Sequence, residues 1–192
     1  VRAKERAEIL AAGRRMYEAG LVTGSLGSMG IRLSSGEIVI TTKGSRLGFL
    51  SEEDLLVMNG SFPANQASGK LPDEDAGILY QVLKNQPDAG AVIRVHSPYS
   101  TVLAHRGRKH IEKAEPLLAH LGGVAFVPYY RPGTAGLAGA VADAMRGNCV
   151  AIIERQGCVV RGIDLSDAVD RAEALEASAK VIYLLSSNNG VR

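Results

Sequence analysis

Long apolar runs, blocks of like charge, internal repeats and low-complexity segments are all missing from this 192-residue chain. Each absence removes a class of protein. The longest apolar stretches fall far short of the roughly 18 residues that a membrane-spanning helix needs, so no membrane role is expected. Net charge is only +2 and no run of Lys or Arg exceeds two residues. A nucleic-acid surface is therefore not demanded, and the basic spot at Arg106, Arg108 and Lys109 reads as a solvated loop. The two cysteines, Cys149 and Cys158, lie beside β-branched residues in "NCVAII" and "GCVVRG". Buried thiols in a reducing, cytoplasmic setting are expected rather than a disulfide. The charged opening "VRAKERAEIL" is unlike a signal peptide. No strand leads through GxGxxG into a helix, which argues against a doubly wound dinucleotide fold.

What is present is an ordinary globular balance, 46% hydrophobic and 22% charged, with no linker dividing it. One domain over residues 1–192 is expected. Apolar residues at helical spacing predict a first helix over 3–19, ended by Gly20. "GIRL" and "EIVIT" predict a hairpin, and "SEEDLLVMN" a Ser-capped turn followed by a strand. A helix capped by Asp73 and stopped by Pro87 comes next, then the strand "AVIRVH" and a short helix with Ser97 as cap and Pro98 behind it. Further short elements lead to the hairpin "CVAIIERQGCVVRG" and a long final helix. That helix carries Ala168, Val169, Ala172, Leu175 and Ala179 on one stripe. Hairpin-joined strands flanked by several helices predict a three-layer α/β/α sandwich with a central mixed, largely antiparallel sheet.

The residues that carry chemistry are few. His96 ends a buried strand, which is a good place to face a cleft. A strand can chelate a metal through side chains at i and i+2, because both point the same way. Here the partner at i−2 is Arg94, a cation that only donates and cannot ligate. By itself His96 reads as a hydrogen-bonded cleft or core histidine. The acidic trio Asp73, Glu74 and Asp75 either caps a helix or presents a general base at a pocket rim. The loop "GSLGSMG", with Ser25, Gly27 and Ser28, could offer N–H groups and hydroxyls to an anion. So could "TTKG", where Lys43 and Gly44 add a charge and a turn. Either is as readily a plain connection.

Taken in order, "GLVTGSLGSMGIRL", "VITTKG", "LSEEDLLVMN", "GKLPDEDAGILYQVLKNQPDAGAVIRVHSPYSTVLA", "YRPGTAGLAGAVADAM" and "AIIERQGCVVRG" resemble the class II aldolase/adducin family across most of the chain. The resemblance implies an aldehyde-lyase or epimerase acting on a small sugar-like or oxo-acid substrate, in a homo-oligomer, commonly a tetramer. It also implies a zinc-type metal held by three histidines. Those positions fall on Arg94, His96 and Gln156, so only one imidazole remains. The family's catalytic carboxylate falls on Asp75. Two serines that hold substrate phosphate become Asp73 and Glu74, the loop asparagine becomes Ser28, and a tyrosine proton donor falls on Pro116.

These departures predict that no metal cofactor is held, unless the family site is rescued and zinc binds at His96. They also predict that Arg94 stands where the metal charge would be and pairs with Asp75. On this reading Asp75 and His96 are catalytic. Ser25, Gly27, Ser28, Lys43, Gly44 and Arg94 bind substrate. The alternative is a non-catalytic relative like the adducin branch, used for binding or assembly.

Overall fold

The computed structural model describes residues 1–58, 72 and 74–187. Helix α1 (Ala3–Glu18) leads through a loop to β1 (Ser28–Arg32) and β2 (Ile38–Thr41), and a 3-10 turn at Glu52–Asp54 precedes β3 (Leu55–Met58). Then come α2 (Ala76–Asn85), β4 (Ala91–Val95), α3 (Pro98–Arg106), α4 (Arg108–Lys113) and α5 (Glu115–Leu118). Strand β5 (Val124–Val127), α6 (Ala135–Ala144), β6 (Val150–Ile153), β7 (Gly157–Gly162) and α7 (Leu165–Ser187) complete the order.

Seven strands form one sheet in the order β3-β2-β1-β4-β7-β6-β5. Every neighbouring pair is antiparallel except β5 with β6. The sheet is therefore mixed and largely antiparallel, as expected. Side chains alternate across it because the strand period is two. Ala91, Ile93 and Val95 of β4 enter one core with α1, α3 and α7, while Val92 enters the other with α2 and α6. These two cores on opposite faces make the three-layer α/β/α sandwich. Fully buried Ile93 and Leu79 are worth about 1.5–3 kcal/mol each in transfer free energy.

Local signals land closely. Helix α1 ends where Gly20 turns at φ 71° and donates to the Tyr17 carbonyl. Ser51 is tied to Asp54 through both its N–H (2.8 Å) and its hydroxyl (2.9 Å). The stripe of small residues on α7 is buried throughout. The expected cap Asp73 lies outside the described residues. Ser97 does not cap α3 with its side chain; its hydroxyl meets that of Ser100 at 2.7 Å. The free N–H groups of Tyr99 and Ser100 donate instead to the Glu176 carboxylate of α7, at 2.9 and 2.8 Å. Among the described residues no helix is long and apolar enough to cross a membrane.

Candidate active site

Strand β4 lies mid-sheet, between β1 and β7, and its last residues open onto a cleft of about 450 Å³. Arg94 sits on the α2 side of the strand, two residues beyond Val92, and only 2% of it is exposed. Burying a guanidinium is costly unless its charge and donors are answered. Here Nη1 donates to the Cys158 carbonyl at 3.1 Å and Nη2 to the Gln156 carbonyl, both on or beside β7. Nε stands 3.3 Å from Asp75 Oδ2. That contact is an ion pair without hydrogen-bond geometry, and Nε has no hydrogen-bond partner among the described residues.

Asp75 is the residue before α2, and its side chain makes no cap bond to the helix. Its carbonyl accepts from Ile78 and Leu79, which leaves the carboxylate to face Arg94 across the cleft floor. Of the two readings of this acidic segment, the pocket one describes Asp75. Glu74 lies at the rim, 3.7 Å from Lys43 Nζ. Lys43 is held there by a tight turn, with Gly44 at φ 81° and the Ser45 N–H donating to Thr42 O at 3.2 Å.

His96 lies just past β4 and half-buried on the cleft wall. It is not the satisfied histidine that its position suggested. Its Nδ1 is buried without a partner among the described residues. Burial, and then the Arg94 charge, push its pKa down to about 4, against a smaller upward pull from Asp75. The ring is therefore neutral near pH 7. His105, His110 and His120 are exposed on the other helical layer, away from the cleft.

Ser25, Gly27, Lys43, Gly44, Asp75, Arg94, His96 and Gln156 all line the same cleft. Ser28 does not. It is the first residue of β1, 1% exposed, and opposite Arg94 in the strand register. Its hydroxyl has no partner among the described residues. The sequence reading put it in a loop, but pairing with β4 extends β1 back to it. Gly27 earns its place sterically: a Cβ there would stand 2.6 Å from Val22 and 3.1 Å from the Arg94 carbonyl. Four lining residues were missed, Leu26, Thr101, Pro132 and Arg155. Thr101 follows one turn into α3 and carries another unpartnered buried hydroxyl. Arg155, at φ 61° in the β6–β7 turn, had one available signal, its place beside Gln156.

The residues that the resemblance puts at the metal positions, Arg94, His96 and Gln156, do not fit a metal. Arg94 is a cation already donating to two carbonyls. The Gln156 amide Nε2 donates to the Tyr130 carbonyl at 2.5 Å. Only His96 offers a nitrogen lone pair, and three protein ligands are usual for a catalytic zinc. Among the described residues no group of three His, Cys, Asp or Glu side chains converges.

Residues 7–183 match the family model described as Class II Aldolase and Adducin N-terminal domain. The 3-oxo-tetronate 4-phosphate decarboxylase of Haemophilus influenzae is 32% identical over 178 residues, 90% of this chain and 84% of that protein. The L-fuculose phosphate aldolase of Methanocaldococcus jannaschii is 33% identical over 172 residues, 89% of this chain and 91% of that one. Among solved structures, YgbL from Escherichia coli superposes with TM-score 0.84 at 30% identity, covering 95% of this chain and 89% of that one. Its description offers aldolase, epimerase and decarboxylase activity without choosing. The chain thus belongs to the class II aldolase and adducin family.

Proposed function

We propose that this protein is a carbon–carbon lyase acting on a small hydroxylated oxo acid or sugar-like carbonyl compound, in the cleft floored by Arg94, His96 and Asp75. One observation carries the reading. Three side chains on the cleft, Arg94, His96 and Thr101, hold buried polar atoms that no described residue satisfies. Such atoms are uncommon in folded proteins, and three of them gathered on one cleft suit a ligand, an ion or a water that supplies the missing partner. The 32% identity to a decarboxylase over nine-tenths of the chain supports the reaction class.

Both candidate cleavages leave the same species. In a 3-oxo acid the bond to the carboxylate carbon breaks and carbon dioxide leaves. The electron pair enters the adjacent carbon–carbon bond, the carbonyl oxygen becomes an enolate oxygen, and the remaining carbon takes one proton. In an aldol cleavage a hydroxyl loses its proton and an aldehyde leaves instead. Asp75 carries that proton, the neutral ring of His96 donates a hydrogen bond to an oxygen, and Arg94 faces the developing charge. Lys43, Gly44, Ser25 and Gly27 bind the far end of the substrate. Ser28, opposite Arg94 in the strand register, does not touch the substrate. We read residues 1–192 as one domain and the protein as a cytoplasmic homo-oligomer, with both thiols free.

The test is a panel of 3-oxo acids and hydroxycarbonyl compounds, with and without a terminal phosphate, assayed for released carbon dioxide or aldehyde. Turnover that is lost in Asp75→Asn supports the lyase. Binding without turnover of any panel member leaves the adducin-like binding role.

A further inference from the structure

We propose that Arg94 supplies, as a fixed organic cation, the positive charge that a metal provides elsewhere in this family, and that the cleft binds a small carboxylate or enolate anion directly on its guanidinium. For the reaction this rests on the lyase reading; for binding it does not.

The geometry points to a charge that is held in place yet still has donors to offer. A guanidinium has five N–H groups. The Cys158 and Gln156 carbonyls take one from each terminal nitrogen, and fix the plane of the group from the β7 side. Asp75 balances the charge at 3.3 Å without taking the Nε hydrogen in a hydrogen bond. The two carbonyls position the group without adding counter-charge, so its anionic contact is the offset Asp75 carboxylate, which is not a bidentate one. The residue is 2% exposed, so little water competes at the floor.

The β7 backbone packs close behind it. Gly157 takes φ 86°, and a Cβ there would lie 3.5 Å from Arg94 Nη1, 3.4 Å from His96 Cδ2 and 2.8 Å from the Val95 carbonyl. The tight contact is with the Val95 carbonyl, so glycine here lets the start of β7 pack closely against the end of β4, beside both side chains. His96 Nδ1 and Thr101 Oγ1, both unpartnered and both on this cleft, supply the remaining polar atoms of a small oxyanion pocket. A divalent ion at the same place would face the guanidinium at close range. Moving Arg94 aside would strip the Cys158 and Gln156 carbonyls of a donor and Asp75 of an opposite charge.

Two measurements on the unmodified protein and two on variants test this. The probe is oxalate, a planar dianion shaped like an enediolate, titrated by calorimetry before and after chelator treatment. Binding that survives chelation supports the proposal. Arg94→Gln should weaken it about 10- to 100-fold, the worth of a charged hydrogen bond. The double variant Arg94→His/Gln156→His should gain about one zinc per chain by metal analysis, because three imidazoles then share the site. The unmodified protein should carry none. Stoichiometric zinc in the unmodified protein overturns the proposal. So does oxalate binding that disappears with chelator and returns with zinc, or the absence of oxalate binding in every state. If Arg94→Gln fails to fold, the chelation and zinc results on the unmodified protein still decide. Oxalate held by Arg94 without turnover of any substrate sinks the lyase reading alone. Turnover that requires zinc sinks this inference alone.

Discussion

Two buried arginines stand on the same face of the sheet, two rungs apart. Arg94 is on β4 and pairs with Val159, while Arg161 is on β7 and pairs with Val92. Both point toward the layer of α2 and α6. Arg161 is answered in full geometry: Nε donates to the Asn148 carbonyl at 2.8 Å and Nη1 to Asp88 Oδ2 at 2.6 Å. That bond holds the Asp88 carboxyl below its usual range. Arg94 is pinned by carbonyls, and its carboxylate partner is offset. The same residue type on the same face is a clamp at one end of the strands and a site at the other. The difference lies in what surrounds each guanidinium, since Asp88 is largely exposed and Asp75 lines a cleft.

The sharpest way to break this contrast is to neutralise each carboxylate. Asp75→Asn should lower kcat about 10²- to 10⁴-fold, the usual range for a positioned acid or base. Asp88→Asn should leave kcat unchanged, and equal losses would erase the distinction. A second expectation concerns His96. An unfolded imidazole takes up a proton near its ordinary value of 6.5, while the folded ring stays neutral down to about 4. The unfolded state then binds more protons between these values, so stability is complete above pH 6.5 and falls as pH drops toward 4. The loss is up to about 3 kcal/mol, less what solvent screening removes at a half-buried ring. Urea unfolding across that window should show the slope, and His96→Gln should flatten it.

Arg161→Ala should cost about 1–3 kcal/mol, because it strips the half-buried Asn148 carbonyl of its donor and Asp88 of its charge partner. Calorimetry reads the loss, and kcat of the folded fraction should not move. The smallest effect belongs to Glu176→Ala, which removes the carboxylate that receives two N–H groups at the start of α3. About 1 kcal/mol is expected from thermal unfolding, typical of a lost helix cap.

Much of this architecture could be read from local pattern. The stripe Ala168, Val169, Ala172, Leu175 and Ala179 announced the long helix, and all five are buried. The hairpins and the break at Gly20 fell where turn chemistry requires them. The site was legible in outline, since Asp75, His96, Arg94 and Lys43 do share a cleft. Ser28, the Ser97 cap and Thr101 were not. The role of each depends on a partner far along the chain: β4 for Ser28, Glu176 for the α3 N-terminus, and the cleft itself for Thr101. No local spacing encodes such a partner.

From its residues alone the chain determined which segments are helix and which are strand, and that the side chain two places before His96 is a cation that cannot ligate a metal. Periodicity and side-chain chemistry are local properties, so they are written along the chain. Only the tertiary structure decided that the Arg94 charge is buried, held by the Cys158 and Gln156 carbonyls and offset from Asp75. That outcome depends on how three separate segments meet at the end of one strand, and desolvation there sets what the charge can do.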